Sequence, residues 1–140
     1  MSAAKPQRVL FVCVGNACRS QMAEGFARKY GNDVIVPASA GLAPAMALAS
    51  DTIRAMDERD IDVRHHFPKA LRHLGGAEFD LVINMSGYEL PPPYDAAPAR
   101  VWDVPDPVMT DYSRHCEIRD RIENLVMDLI LELRRRNKRD

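Results

Sequence analysis

A continuous apolar run, Val9-Leu10-Phe11-Val12, ends on Cys13, and a short loop, Val14-Gly15-Asn16-Ala17-Cys18, leads from it to Arg19 and Ser20. An apolar run without polar alternation reads as a strand buried on both faces. Beyond Ser20, residues Met22, Ala23, Phe26 and Ala27 recur at three- and four-residue spacing, the pattern of one helix face. A buried strand feeding a helix through a tight loop commits the chain to an α/β fold on a parallel sheet. It also predicts a site: the N–H groups of the loop and the positive end of the helix make a cup for a tetrahedral oxyanion such as phosphate. Cys13 lies beneath that cup and Arg19 closes its rim.

The rest of the chain extends the alternation. Ser20 is placed to cap the first helix, and Gly31-Asn32-Asp33 ends it. Val34–Ala38 reads as a second strand running into a turn at Gly41, and 47–59 as a helix with Ile53 and Met56 on one face, with Ile61 and Val63 in the connection beyond. Lys69–Leu74 reads as a short helix stopped by Gly75-Gly76, Asp80–Asn84 as a third strand, and Arg100–Val104 as a fourth. Between the last two, Pro91-Pro92-Pro93 predicts a stiff extended loop. Ile118, Ile122, Leu125, Val126, Leu129 and Leu133 predict a long amphipathic C-terminal helix. The expectation is one domain over residues 1–140, a three-layer α/β sandwich whose four-stranded parallel sheet is flanked by helices, with the phosphate-binding loop after strand 1. Ligands of open α/β sheets bind at the carboxyl ends of the strands, so Cys13 and the segment Asp103–Asp106 are expected to share one rim.

Several function classes are excluded at this stage. No apolar run is long enough to cross a bilayer, and Met1–Arg8 lacks the apolar core of a secretory signal. Three cysteines in 140 residues do not make a disulfide framework, so a cytoplasmic enzyme is expected. A net charge of −1 gives no footprint for nucleic acid. The basic cluster Arg134, Arg135, Arg136, Lys138 and Arg139 is read as a solvated end complementing the last helix dipole, with a partner-binding tail as the alternative.

A cysteine attacks as its thiolate, and helix N-termini with nearby cations lower a thiol pKa from ~8.5 to roughly 3.5–7.5. The loop offers the backbone N–H groups of Val14, Gly15, Asn16, Ala17, Cys18 and Arg19, a helix terminus, and the guanidinium of Arg19. Gly15 permits close backbone approach, Asn16 tolerates left-handed geometry, and the Ser20 hydroxyl can donate to the sulfur. Arginine fits the closing position because its planar fork grips two oxyanion oxygens at once. Breaking a phosphoester also needs a proton for the leaving oxygen. Asp106, held between Pro105 and Pro107, is the candidate; Asp103 competes but falls within the predicted fourth strand. Cys13 could be an inert core cysteine, Cys18 could serve packing or redox chemistry, and Cys116 reads as structural. Cys13, Cys18, His115 and Cys116 space poorly for zinc, and Arg19 would repel a cation, so neither a metal nor another cofactor is expected. His65, His66 and His73 default to surface or structural roles, and Met85, Met109 and Met127 to packing.

The run Cys13–Ser20, Ser39-Ala40-Gly41 after the second strand, and Asp106-Pro107 together resemble the low-molecular-weight protein tyrosine phosphatases, whose fold the thioredoxin-coupled arsenate reductases share. The resemblance covers nearly the whole chain. It implies Cys13 as nucleophile, Arg19 as phosphate clamp, Asn16 and Ser20 as loop-shaping and thiolate-stabilising residues, Asp106 as general acid, and Cys18 as the neighbour able to form a protective disulfide. The expected activity is hydrolysis of a phosphorylated protein or small phosphoester through a phosphocysteine, without nucleic-acid or membrane partners. Two departures stand out. Val108, Met109, Leu42 and Met46 occupy places where phosphotyrosine-specific members carry aromatics, leaving Tyr112 as the nearest one and forgoing about 0.5–1.5 kcal/mol of stacking. Gln21-Met22-Ala23-Glu24-Gly25 resembles the arsenate reductase branch, but Asn84-Met85-Ser86-Gly87 carries no cysteine for a thioredoxin-coupled relay. Arsenate reduction with an external thiol and a non-catalytic phosphate-binding module are the alternatives.

Overall fold

A computed structural model of the chain describes residues 5–96 and 98–139. Residues 1–4 of the polar leading segment and the side chain of Arg139 lie outside the described residues. Strand β1 (Gln7–Cys13) is followed by α1 (Arg19–Tyr30), β2 (Ile35–Gly41), α2 (Ser50–Asp57), β3 (Leu81–Asn84), β4 (Ala99–Val101) and α3 (Tyr112–Arg139). The strands form one parallel sheet in the order β2-β1-β3-β4. The α/β architecture read from the sequence is therefore the observed one.

Strand β1 is central, and the period-2 alternation of its side chains divides the core. Val9, Phe11 and Cys13 point to the face covered by α1, α2 and α3, where Met22, Phe26, Met56, Ile118 and Ile122 are buried with them. Leu10 and Val12 point to the opposite face and pack with Val82, Leu71 and Tyr94. Both faces are apolar, which is why β1 reads as an unbroken hydrophobic run. No helix among the described residues is long and apolar enough to cross a membrane.

Local departures from the sequence reading have tertiary causes. Lys69–Leu74 is a 3-10 turn over Leu71–Leu74 only, because Lys69 and Ala70 are taken by Gly41: its N–H donates to Lys69 O at 2.8 Å and it bridges Ala70. The turn stops at Gly75 in the left-handed conformation. Helix α2 starts at Ser50 instead of 47, since the segment before it is bonded to the loop after β1 (Ala45 N–H to Gly15 O, Ala49 N–H to Ala17 O). The triple proline is not extended. Tyr94 N–H returns to Pro91 O, and the turn carries the Tyr94 ring into the second core face. Strand β4 ends at Val101, so Asp103 lies beyond it. Arg134, at the basic end of α3, pairs with Asp33 and donates to Tyr30 O, tying that end to the segment after α1.

Candidate active site

The loop from Val14 to Cys18 is turned inside out relative to ordinary secondary structure. Its carbonyls are claimed from outside: Cys13 O by Leu42 N–H, Val14 O by Ala43, Gly15 O by Ala45, Ala17 O by Ala49, and Cys18 O by Met22. In a planar trans peptide the C=O of one residue and the N–H of the next point in opposite directions. The N–H groups of Val14, Gly15, Asn16, Cys18 and Arg19 are thereby turned the other way, toward the interior of the curl. Among the described residues, none of these five has a hydrogen-bond acceptor. Such a set of convergent donors next to a helix start is an anion nest. Asn16 supplies the one left-handed residue, with φ of 50°. Gly41, at the end of β2, presses so close that a Cβ there would stand 2.5 Å from Val14 O, so the Ser39-Ala40-Gly41 segment is the wall that holds the curl from behind.

Cys13 Sγ lies 2.9 Å from Ser20 Oγ. Helix α1 begins at Arg19, and Ser20 makes no cap hydrogen bond; its hydroxyl serves the sulfur instead, which corrects the capping role read from the sequence. Asn16 Nδ2 donates to the same hydroxyl at 2.7 Å, so Ser20 has an acceptor position filled and its own proton free for Cys13. Asn16 Oδ1 in turn accepts from Gln21 Nε2 (3.0 Å) and from Lys69 N–H (3.0 Å). Gln21 Oε1 faces His66 Nδ1 at 2.9 Å. Burial pushes the His66 imidazole down, against the opposing pull of Glu24, which suits a neutral ring donating Nδ1–H to Gln21. These second partners, Gln21, His66 and the backbone of Lys69, were missed by sequence reasoning. His66 proves structural, as its default reading had it, but nothing in its sequence neighbourhood points to Gln21.

Arg19 is buried instead of standing at the rim. Nη1 donates to Met85 O (2.6 Å), just past β3, and to Val104 O (3.0 Å), past β4. Nη2 lies 3.4 Å from Asp106 Oδ2, and Nε is buried with no partner among the described residues. Two main-chain carbonyls therefore fix the guanidinium while part of its fork stays unused, as an oxyanion clamp requires. Asp106 is partly exposed, and its Oδ1 accepts from Val108 N–H at 3.0 Å. That turn, with the two prolines, aims the carboxylate at Arg19. Asp103 makes no side-chain hydrogen bond or ion pair among the described residues; only its carbonyl is used, by Arg121. The carboxyl end of the sheet thus carries two pairs, Cys13 with Ser20 and the buried Arg19 with Asp106, and Asp103 joins neither.

Burial raises the Cys18 thiol to about 11, so it stays protonated at neutral pH. All three cysteines are free. Cys116 lies in α3, 3.9 Å from Glu58, and His115 Nδ1 is near Asp111 O at 3.1 Å. Among the described residues no group of three His, Cys, Asp or Glu side chains could hold a metal ion. Tyr112 does not wall the cup: its ring stacks under Arg54 at 3.7 Å and its hydroxyl meets Glu58. Met109, read as a packing residue, is almost fully exposed at a left-handed turn position (φ 64°) beyond Asp106, and Met46, beyond Ala45, is fully exposed. Met85 packs in the core as expected.

Residues 8–91 match the family described as low molecular weight phosphotyrosine protein phosphatase. A glutaredoxin arsenate reductase from Synechocystis sp. is 31% identical over 86% of this chain and 96% of its own. Arsenate reductase 1 of Bacillus cereus is 33% identical over 81% and 87%. Among solved structures, an arsenate reductase in its phosphate-binding state superposes with a TM-score of 0.82 at 29% identity, over 91% of this chain and 98% of that one. The YwlE arginine phosphatase of Geobacillus stearothermophilus, at 23% identity, shares the fold with a TM-score of 0.80 over 94% and 95%.

Proposed function

The chain belongs to the low molecular weight phosphotyrosine protein phosphatase family, a family of enzymes, and from that premise we propose that it hydrolyses phosphomonoesters through a phosphocysteine on Cys13. The observation that carries this reading is the hydrogen bond from Ser20 to Cys13 Sγ at 2.9 Å inside a ring of unclaimed N–H groups, with Asp106 at its edge. In the first step the sulfur attacks phosphorus, the P–O bond to the leaving alcohol breaks, and Asp106 in its acid form gives that oxygen a proton. The nest and Arg19 hold the three equatorial oxygens as charge builds on them. In the second step the Asp106 carboxylate takes a proton from water, the water oxygen attacks phosphorus, and Cys13 leaves as a thiolate that the Ser20 hydroxyl receives. No component beyond substrate and water is needed.

The role given to Asp106 is testable by leaving group. Asp106→Asn is expected to slow alkyl phosphates by roughly 10²–10⁴-fold. Nitrophenyl phosphate, whose leaving group needs little protonation, should lose far less in its first step. Equal losses on both would assign Asp106 a structural role in the turn at Val108.

Arsenate reduction is the second reading, favoured by the names of the relatives at 31–33% identity. Cys13 would displace water from arsenate. An external thiol would then attack that sulfur, releasing arsenite and leaving a mixed disulfide for a second thiol to resolve. Cys18 is a poor internal substitute, because its thiol, raised to about 11, is almost wholly protonated at pH 7. Rates with a phenyl phosphate ester, set against rates with arsenate and a panel of small thiols, separate the two readings.

For Cys18 we keep the redox role. Peroxide converts Cys13 to a sulfenic acid, and condensation with the Cys18 thiol, slowed by the same protonation but needing no second partner, forms the disulfide and releases water. Brief peroxide treatment should inactivate the enzyme in a way that reductant reverses, and Cys18→Ser should recover poorly. Full recovery in Cys18→Ser would leave Cys18 a packing residue.

A further inference from the structure

On the β2 side of the loop, away from Asp106, lies a cavity of about 480 Å³ lined by Pro44, Ala45, Phe67, Lys69, Arg72 and His73. It shares walls with the candidate site: Ala45 N–H donates to Gly15 O at 2.9 Å, and Lys69 N–H donates to Asn16 Oδ1 at 3.0 Å. Its charge is one-sided. No carboxylate lines it, and among the described residues Lys69, Arg72 and His73 form no ion pair. Glu24, a carboxylate acting on Lys69, is already held by Arg28 at 2.7 Å and by Ser39 at 2.6 Å. Phe67 organises the group: the Lys69 ammonium sits 5.0 Å from its ring centroid, and the His73 ring meets it edge-on at 5.6 Å. Lys69, Arg72 and His73 thus gather in one concavity that no carboxylate lines, an arrangement that suits an anionic ligand.

The position of the cavity selects the ligand. Asp106 protonates the leaving oxygen, so the leaving group must lie on the β4 side of the cup, whereas the cavity lies on the β2 side. A small phosphoester enters the cup and ends at its leaving group. A phosphorylated side chain instead carries its peptide across the rim, with neighbouring residues extending to both sides. We propose that this cavity is a second anion subsite, taking acidic side chains that flank the phosphorylated residue of a peptide or protein substrate. This rests on the hydrolase reading and names its substrate class.

The test compares two phosphotyrosyl peptides of equal length, one with glutamates flanking the phosphorylated residue and one with glutamines there. The wild-type enzyme should prefer the acidic peptide by roughly tenfold in kcat/KM, with the preference shrinking as salt is added. In the double variant Arg72→Gln, His73→Gln the preference should fall toward parity, with nitrophenyl phosphate turnover unchanged. Equal use of the two peptides by the wild type, or a preference that survives the double variant, overturns the subsite. Calorimetric binding of both peptides to Cys13→Ser, with and without the double substitution, reads the same preference without turnover. If no ester is hydrolysed yet the acidic peptide still binds tighter through Arg72 and His73, the hydrolase reading fails and the subsite stands. If a small acidic thiol peptide binds through those residues while the two phosphopeptides bind alike, the cavity belongs to a reductant and the proposal is wrong.

Discussion

Cys13→Ser is expected to lower ester hydrolysis by roughly 10⁴-fold or more while leaving phosphate binding measurable. The substitution exchanges one atom at a buried position, so the loop and the Ser20 contact have no steric reason to rearrange. What is lost is the nucleophile. A hydroxyl at that place ionises far less readily than a thiol, and no base within the cup is positioned to remove its proton. Ser20, whose oxygen already accepts from Asn16, is left to donate to residue 13, a role that suits a thiolate and cannot activate an alcohol. Steady-state assays give the loss, and calorimetry with inorganic phosphate shows that the N–H nest survives. Near-normal turnover in this variant would remove Cys13 from the chemistry.

Arg19→Ala should cost about 10²–10⁴-fold in kcat/KM, the scale of losing a preorganised oxyanion donor, and it should also lower thermal stability. The second effect follows from the 2.6 and 3.0 Å hydrogen bonds to Met85 O and Val104 O. Removing the guanidinium strands two carbonyls, at about 1–3 kcal/mol for each that water cannot reach. Arg19→Lys separates the two roles. An ammonium can reach a carbonyl and restore part of the stability, but it cannot fork onto two phosphate oxygens. Melting temperature should recover in the lysine variant more than kcat/KM does. If the lysine variant regained full activity, the clamp would be acting as a simple charge.

The parts of this account that were legible in the sequence are those governed by local pattern. The unbroken apolar run of β1 announced a strand buried on both faces, and the loop from Cys13 to Arg19 announced an anion cup. The two prolines around Asp106 made it the candidate, but the ground for ranking Asp103 lower, a place inside the fourth strand, fell away because β4 ends at Val101. What escaped was set by partners distant in sequence. Arg19 looks like a rim residue, yet carbonyls 66 and 85 residues away draw it inside. Main-chain carbonyls have no sequence signature, so neither contact could be anticipated. The Gln21–His66 pair is equally silent, because both residue types are common on surfaces. Tyr112 was the nearest aromatic to the aliphatic positions Val108 and Met109, but Arg54 and Glu58 of the α2 region hold it against the helices. The triple proline turned where an extended stretch was expected because burying Tyr94 against Leu10 and Val12 outweighs the stiffness of the segment.

The central claim is that Cys13 forms a covalent bond to phosphorus during turnover, and a rapid acid quench tests it most directly. The enzyme, mixed with excess nitrophenyl phosphate and quenched within a turnover, is digested and mapped by mass spectrometry. The account predicts one added phosphoryl group on the peptide carrying Cys13. Asp106→Asn should increase its yield, since the carboxylate that activates water for the second step is gone. A wild-type enzyme that turns over the ester with no phosphoryl group on Cys13, or with the group on a histidine, would contradict the account.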